Sequence, residues 1–249
     1  MYVAITGATS GIGKELAYQY AKLRNNVILT GRREQELKSI QADLQKQYSI
    51  QAQIFKADLS VLSEVEAFYQ FASPFEPEIV INNAGFGIVD YFIQAPLDRE
   101  LNMIQTNIVA LHVLTKRFLQ SMKQGVILNV ASIAGLLPTP KMAAYAATKA
   151  YVNHFSNALD YECKHTKPSV RVLSLCPGPV YTEFAQVAGV SMALKGISAE
   201  TCAKVAIQGI KRKKRIIIPS LPMKLARFFT RFLPLSLSLS VSHSLQKKK

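Results

Sequence analysis

Apolar, β-branched runs recur along the chain: YVAIT (2–6), NVILT (26–30), AQIFKA (52–57), EIVIN (78–82), GVILNVA (125–131), VRVLSL (170–175) and RIII (215–218). They are continuous rather than alternating, the pattern of strands buried on both faces. Longer stretches with helical spacing lie between them, near 11–24, 33–47, 61–72, 98–123, 142–165 and 199–211. Strands alternating with helices predict an α/β fold, a parallel sheet of about seven strands with helices on both faces. Right-handed crossovers make it doubly wound and Rossmann-type. Nothing between 1 and 218 reads as a linker or a repeat, so one domain is expected over 1–220, followed by a tail over 221–249.

The pattern changes in the tail. In PMKLARFFTRFLP (222–234), Leu225, Phe228, Phe229 and Phe232 share one face by helical spacing, while Lys224, Arg227 and Arg231 cluster on the other. That predicts a cationic amphipathic helix. The next segment, LSLSLSVSHSL (235–245), alternates strictly and predicts a strand or an extended segment. No uncharged run is long enough for a membrane-spanning helix.

Charge sharpens this division. The net charge is +14, yet residues 1–200 hold 18 basic side chains against 16 acidic ones. Residues 201–249 hold 12 basic side chains and no acidic one. The body is thus nearly neutral and the tail strongly basic. A nucleic-acid partner is not expected, because aromatic stacking platforms other than phenylalanine are missing from the basic segment. Two uses of the tail stay open: packing over the substrate cleft or a partner subunit, and peripheral attachment to an anionic membrane surface.

The N-terminus runs straight into a strand pattern with no basic region or cleavage site, so a cytoplasmic location is expected, with the inner membrane surface as the tail's option. Cys163, Cys176 and Cys202 are odd in number and far apart, which reads as reduced thiols. Neither they nor the four scattered histidines form a metal box, so no metal is expected.

The first strand leads directly into TGATSGIG (6–13) and then a helix. Glycines at Gly7, Gly11 and Gly13 permit a tight turn and close backbone approach, so a helix N-terminus can receive a pyrophosphate. Farther on, YAATK (145–149) places a tyrosine four residues before a lysine, one helical turn apart. Spacing alone is weak, since Tyr18 and Lys22 repeat it.

Seven features in order give the pair its context: TGATSGIG, Asp58 after the third strand, NNAG (82–85), Asn107, Ser132, YAATK and PGPVYT (177–182). In these the chain resembles the short-chain dehydrogenase/reductase family over residues 1–220. The resemblance implies that Tyr145 exchanges a proton with a carbonyl or alcohol oxygen, and that Ser132 orients that oxygen. Lys149 would lower the phenol's pKa and hold the nicotinamide ribose, and Asn107 would help hold a water linking Lys149 to solvent. Bringing a phenol from about 10 to about 7 requires roughly 4 kcal/mol. An ammonium about 4–5 Å away supplies about 3–4 kcal/mol at an effective dielectric near 20. The hydride would come from the nicotinamide.

The same resemblance places Thr9, Ser10 and Ile12 with the three loop glycines on the phosphates. It places Asp58 and Leu59 at the adenine, Asn83, Ala84 and Gly85 along the cofactor cleft, and Val180 and Thr182 at the carboxamide. Asn82 would instead tie neighbouring strands together. At the end of the second strand, Gly31 stands where an acidic residue would hold both ribose hydroxyls, and Arg32 and Arg33 follow. A guanidinium binds a 2′-phosphate that a carboxylate would repel, so NADP(H) is the expected cofactor.

Specificity regions of the family correspond here to FGIVDYFI (86–93), IAGLLPTPKM (133–142) and EFAQVAGVSMALK (183–195), mostly aliphatic. They point to a small apolar carbonyl compound or alcohol, of lipid-like character. By analogy a homodimer or homotetramer is expected. A reductase is the first reading, and a silent dinucleotide-binding sensor or scaffold is the alternative.

Overall fold

The computed structural model describes residues 1–189, 195–229 and 232–245. In chain order the elements are β1 (Tyr2–Thr6), α1 (Gly11–Lys22), β2 (Asn26–Gly31), α2 (Glu34–Tyr48), β3 (Ala52–Lys56), α3 (Leu62–Ala72), β4 (Ile79–Asn82) and α4 (Leu97–Ile104). A π-helical turn (Gln105–Ala110) joins α4 to α5 (Leu111–Ser121). There follow β5 (Gly125–Val130), a 3-10 turn (Ile133–Leu136), α6 (Ala143–Thr166), β6 (Val170–Leu175), β7 (Val180–Tyr181), α7 (Phe184–Ala188), β8 (Ile197–Ser198), α8 (Ala199–Lys211), β9 (Ile216–Ile217), α9 (Leu221–Phe229) and α10 (Leu235–Leu245).

The main sheet has seven strands in the order β3-β2-β1-β4-β5-β6-β9, and each neighbouring pair is parallel. Successive side chains of a strand point to opposite faces. Val3 and Ile5 therefore enter one core with Leu16, Leu37 and Ile207, while Ala4 enters the other with Phe68, Leu114 and Phe118. Continuous apolar strands are needed because both faces are covered. The order turns back between β1 and β4, which leaves a crevice at the carboxyl ends of these strands.

Buried polar groups lock both edges of the sheet. Asp160 of α6 is fully buried and accepts from Arg171 Nε at 2.6 Å and Arg215 Nε at 2.9 Å. Burial alone would raise this carboxyl, but the two guanidiniums hold it below the usual carboxylate value. Asn82 Nδ2 donates to Asn129 Oδ1 at 2.9 Å and Thr115 Oγ1 at 3.1 Å, tying β4 to β5 and α5. Cys163, Cys176 and Cys202 are buried free thiols.

The alternating segment 235–245 corrects the expectation of a strand or extended chain: it is the helix α10. An extended segment needs a sheet edge, and the last strand offers only two paired residues. The serines fit a helix because their hydroxyls return to carbonyls one turn back, Ser238 to Leu235 and Ser244 to Val241, each at 2.8 Å. The amphipathic stretch is helical as α9. Of its expected cationic face, Arg231 lies outside the described residues. So do part of the third specificity region (190–194) and the terminal lysines.

A candidate active site at the carboxyl edge of the sheet

One continuous cleft of about 720 Å³ runs along this edge. Its wall includes Gly7, Thr9, Ser10, Gly11, Ile12, Arg32, Arg33, Asp58, Leu59, Asn83, Ala84, Gly85, Ser132, Tyr145, Lys149, Val180 and Thr182, all named from the sequence. Gly13 and Asn107 sit behind the wall and support it.

The phosphate loop fits a dinucleotide. Ser10 caps α1 by position, but no side chain takes its first N–H groups, which leaves them to an anion. Gly13 is needed for close approach: a Cβ there would meet Gly7 O at 2.3 Å and Asn83 Nδ2 at 2.4 Å. Asn83 Nδ2 donates to the carbonyls of Thr6 at 2.9 Å and Gly7 at 3.1 Å. Thr6 Oγ1 in turn accepts from the N–H groups of Asn83 and Ala84, each at 3.0 Å. Thr6 and Asn83 thus pin the loop to the end of β4. The sequence reading missed Thr6, although its place at the strand end just before the loop was a signal.

At the adenine end, a Cβ on Gly31 would lie 2.8 Å from Thr9 Cγ2, so an acidic side chain cannot enter there without displacing Thr9. Arg33 donates to Thr9 Oγ1 at 3.1 Å and pairs with Glu183 at 3.1 Å. Arg32 is held more loosely, 4.0 Å from Asp58 and two-thirds exposed. For Asp58 burial works upward, but the Ser60 N–H and hydroxyl outweigh it and lower the carboxyl. These hydrogen bonds make Asp58 the turn that starts α3.

The reactive end is assembled by α6, β5 and the π turn. Lys149 is 4% exposed, and its Nζ donates to Val130 O at 2.8 Å and stands 5.9 Å from the Tyr145 ring centroid. Ser132 caps the 3-10 turn by accepting from Ala134 N at 3.1 Å, and its hydroxyl also bonds the Tyr145 phenol. Asn107 lies in the π turn, a distortion that aims one helix side chain out of register. Its Oδ1 accepts from Phe86 N at 3.1 Å, and its Nδ2 donates to Phe86 O at 2.9 Å and Thr148 Oγ1 at 3.1 Å. The same Oδ1 and the Lys149 ammonium both flank Gly85, at 2.7 and 3.3 Å from where a Cβ would stand. Thr148, the other residue missed, sits inside YAATK and was legible as a buried polar partner.

The electrostatics correct one expectation. Burial pushes Tyr145 up to about 12 despite the Ser132 hydrogen bond, which works downward. Burial also pulls Lys149 down to about 8, with Cys176 acting weakly against it. The expected fall of the phenol toward neutrality is therefore not what these side chains produce by themselves. Attraction between the two groups at an effective dielectric near 20 is outweighed here by the cost of burying both. Among the described residues no group of three or more His, Cys, Asp or Glu side chains could hold a metal ion.

The substrate end carries the tail. Phe184 packs on Tyr145 with ring centroids 5.5 Å apart. Met223 and Arg227 of α9, Leu233, and Ser238, Val241 and Ser242 of α10 complete the wall.

The profile of the short chain dehydrogenase family matches residues 1–193. Very-long-chain 3-oxoacyl-CoA reductase of Rattus norvegicus is 30% identical over 221 residues, which cover 86% of this chain and 70% of that protein. Inactive hydroxysteroid dehydrogenase-like protein 1 of Homo sapiens is 34% identical over 189 residues, 74% of this chain and 57% of that protein. Among solved structures, a short-chain dehydrogenase from Sphingobium yanoikuyae in complex with NADPH aligns with a TM-score of 0.82 at 28% identity, over 93% of this chain and 95% of that one.

Proposed function

We propose, from the premise that this chain belongs to the short-chain dehydrogenase family, that it is an NADPH-dependent oxidoreductase that reduces a ketone or aldehyde carried on a long apolar skeleton. The observation that carries this reading is the joining, in one cleft, of Ser132, Tyr145 and Lys149 to a wall of Phe184, Met223, Leu233 and Val241.

A bound dinucleotide would supply the hydride. Ser132 donates to the substrate's carbonyl oxygen, and the Tyr145 hydroxyl gives that oxygen its proton. The phenol, which burial raises, is protonated at neutral pH and holds the proton that a reduction requires. Lys149, fixed on the Val130 carbonyl, places its ammonium beside the ribose side of the cleft. Asn107 holds the Phe86 backbone and Thr148, which keeps Gly85 close to Lys149. Arg32, with its loose ion pair, takes a 2′-phosphate, while Arg33 braces the loop through Thr9.

The relatives favour the apolar substrate: the rat protein is named for very-long-chain 3-oxoacyl-CoA. The human relative, named inactive, motivates a second reading as a silent dinucleotide-binding sensor. The complete set Asn107, Ser132, Tyr145 and Lys149 supports turnover instead.

The test is NADPH consumption with ketones graded from short to long chain and NADH in parallel. Rates should rise with chain length and favour NADPH, and Arg32→Ala should weaken NADPH at least about tenfold more than NADH, the scale of one charge-assisted contact. Measurable NADPH binding with no turnover on any ketone or aldehyde would instead support the sensor.

A further inference from the structure

Two segments distant in sequence meet outside the cleft. Between β4 and α4, Tyr91, Phe92 and Ile93 project outward, with Phe92 66% and Ile93 91% exposed. The tail meets this segment where His243 of α10 and Tyr91 approach to 3.3 Å through the ring nitrogen and hydroxyl. In the tail Leu233 and Leu237 are exposed, as are Phe228, Phe229 and Phe232, and Phe228 packs on both of the other rings at 5.5 Å between centroids. Three residues belong to both the outside and the cleft: Val187, Leu233 and Val241 line it and are each at least 40% exposed. Exposed apolar side chains thus reach the lip of the cleft at these three residues. A surface of this kind marks an interaction site.

Charge decides what covers it. Lys141 stands 5.2 Å over the Tyr91 ring, Arg99 donates to the Val187 carbonyl beside the cleft mouth, and α9 carries Lys224 and Arg227. The loop and the start of α4 bring Asp90, Asp98 and the buried Glu100, and the whole of 201–249 brings no acidic side chain. A second copy meeting this face isologously would set its cations against themselves. An anionic bilayer meets both the apolar face and its cationic border.

The basic run KRKKR (211–215) is not part of this surface. It precedes β9, which is parallel to β6, so it lies at the amino edge of the sheet, opposite the cleft. Its last member, Arg215, is already bound to Asp160.

We propose that segment 91–93 and helices α9 and α10 form one membrane-docking face, on which the protein rests on anionic lipid with its substrate mouth turned into the bilayer. This surface is read from the fold and does not depend on which carbonyl compound is reduced, so partition and turnover can fail separately.

The test is co-sedimentation of the full chain with vesicles of phosphatidylglycerol mixed with phosphatidylcholine, against vesicles of phosphatidylcholine alone. The wild type should partition onto the mixed vesicles and be released by high salt. The double variant Phe92→Asp/Ile93→Asp should lose about tenfold in partition while keeping NADPH binding. Lys213→Glu/Lys214→Glu should stay within about twofold of wild type. Absence of wild-type partition would overturn the proposal. So would loss of partition only in the Lys213/Lys214 variant, or light scattering showing a dimer that the Phe92/Ile93 variant abolishes without any vesicle binding.

Discussion

Helices α1 and α6 each carry a tyrosine four residues before a lysine, and the two pairs have opposite surroundings. On α1, Tyr18 donates to Asp43 at 3.1 Å in a partly exposed contact with α2, and Lys22 is exposed in the last turn. On α6, Tyr145 and Lys149 are both buried at the cleft, one bonded to Ser132 and the other to the Val130 carbonyl. Tyr18 and Tyr145 are both pushed up to about 12, chiefly by burial, but Tyr18 faces a carboxylate that raises it further and Tyr145 a hydroxyl that lowers it. Spacing puts two groups on one face, and what the face meets makes them chemistry or ornament. Helix α1 serves the cleft through its amino end instead.

The comparison breaks most visibly in turnover. Tyr145→Phe should cut the reduction rate by about 10³-fold with NADPH binding intact, the scale of a lost general acid. Tyr18→Phe should keep the wild-type rate. Steady-state kinetics on both variants checks this, and a near-normal rate in Tyr145→Phe would remove the assignment.

The contribution of α1 should appear at its first turn. Gly13→Ala forces a Cβ into the Gly7 carbonyl. It should cost about 1–3 kcal/mol of stability, the usual price of overpacking, and weaken NADPH by at least about tenfold. Denaturant unfolding and fluorescence titration measure the two separately.

The finest contrast lies in pH. Lys149 falls from 10.5 to about 8 on burial, so between these values the unfolded chain binds a proton that the folded chain does not. Stability of the wild type relative to Lys149→Met should therefore rise as pH goes from about 8 to about 10.5. Lys22→Met, an exposed change, should show no such slope. Urea unfolding across that window checks the sign, and a falling difference would contradict it.

Much of this was legible beforehand. The continuous strands YVAIT, NVILT and GVILNVA required a doubly covered parallel sheet, because no other arrangement buries both of their faces. The loop glycines and the YAATK pair could be placed because each motif lies within one strand-turn-helix unit or one helical turn, where local geometry fixes the contacts. The helix α10 was misread because alternation describes which residues are apolar, not which backbone partner is available.

The sequence by itself determined the layering of the fold and the places of the glycine loop and of the Tyr145–Lys149 pair within their elements, since these follow from periodicity and short-range spacing. Only the tertiary structure decided the sign of the Tyr145 shift, the different partners of Arg32 and Arg33, and the meeting of residues 91–93 with α10. Desolvation, a partner such as Glu183 that is 150 residues away along the chain and a surface built from remote segments all depend on which atoms surround a group after folding, and no local pattern encodes that.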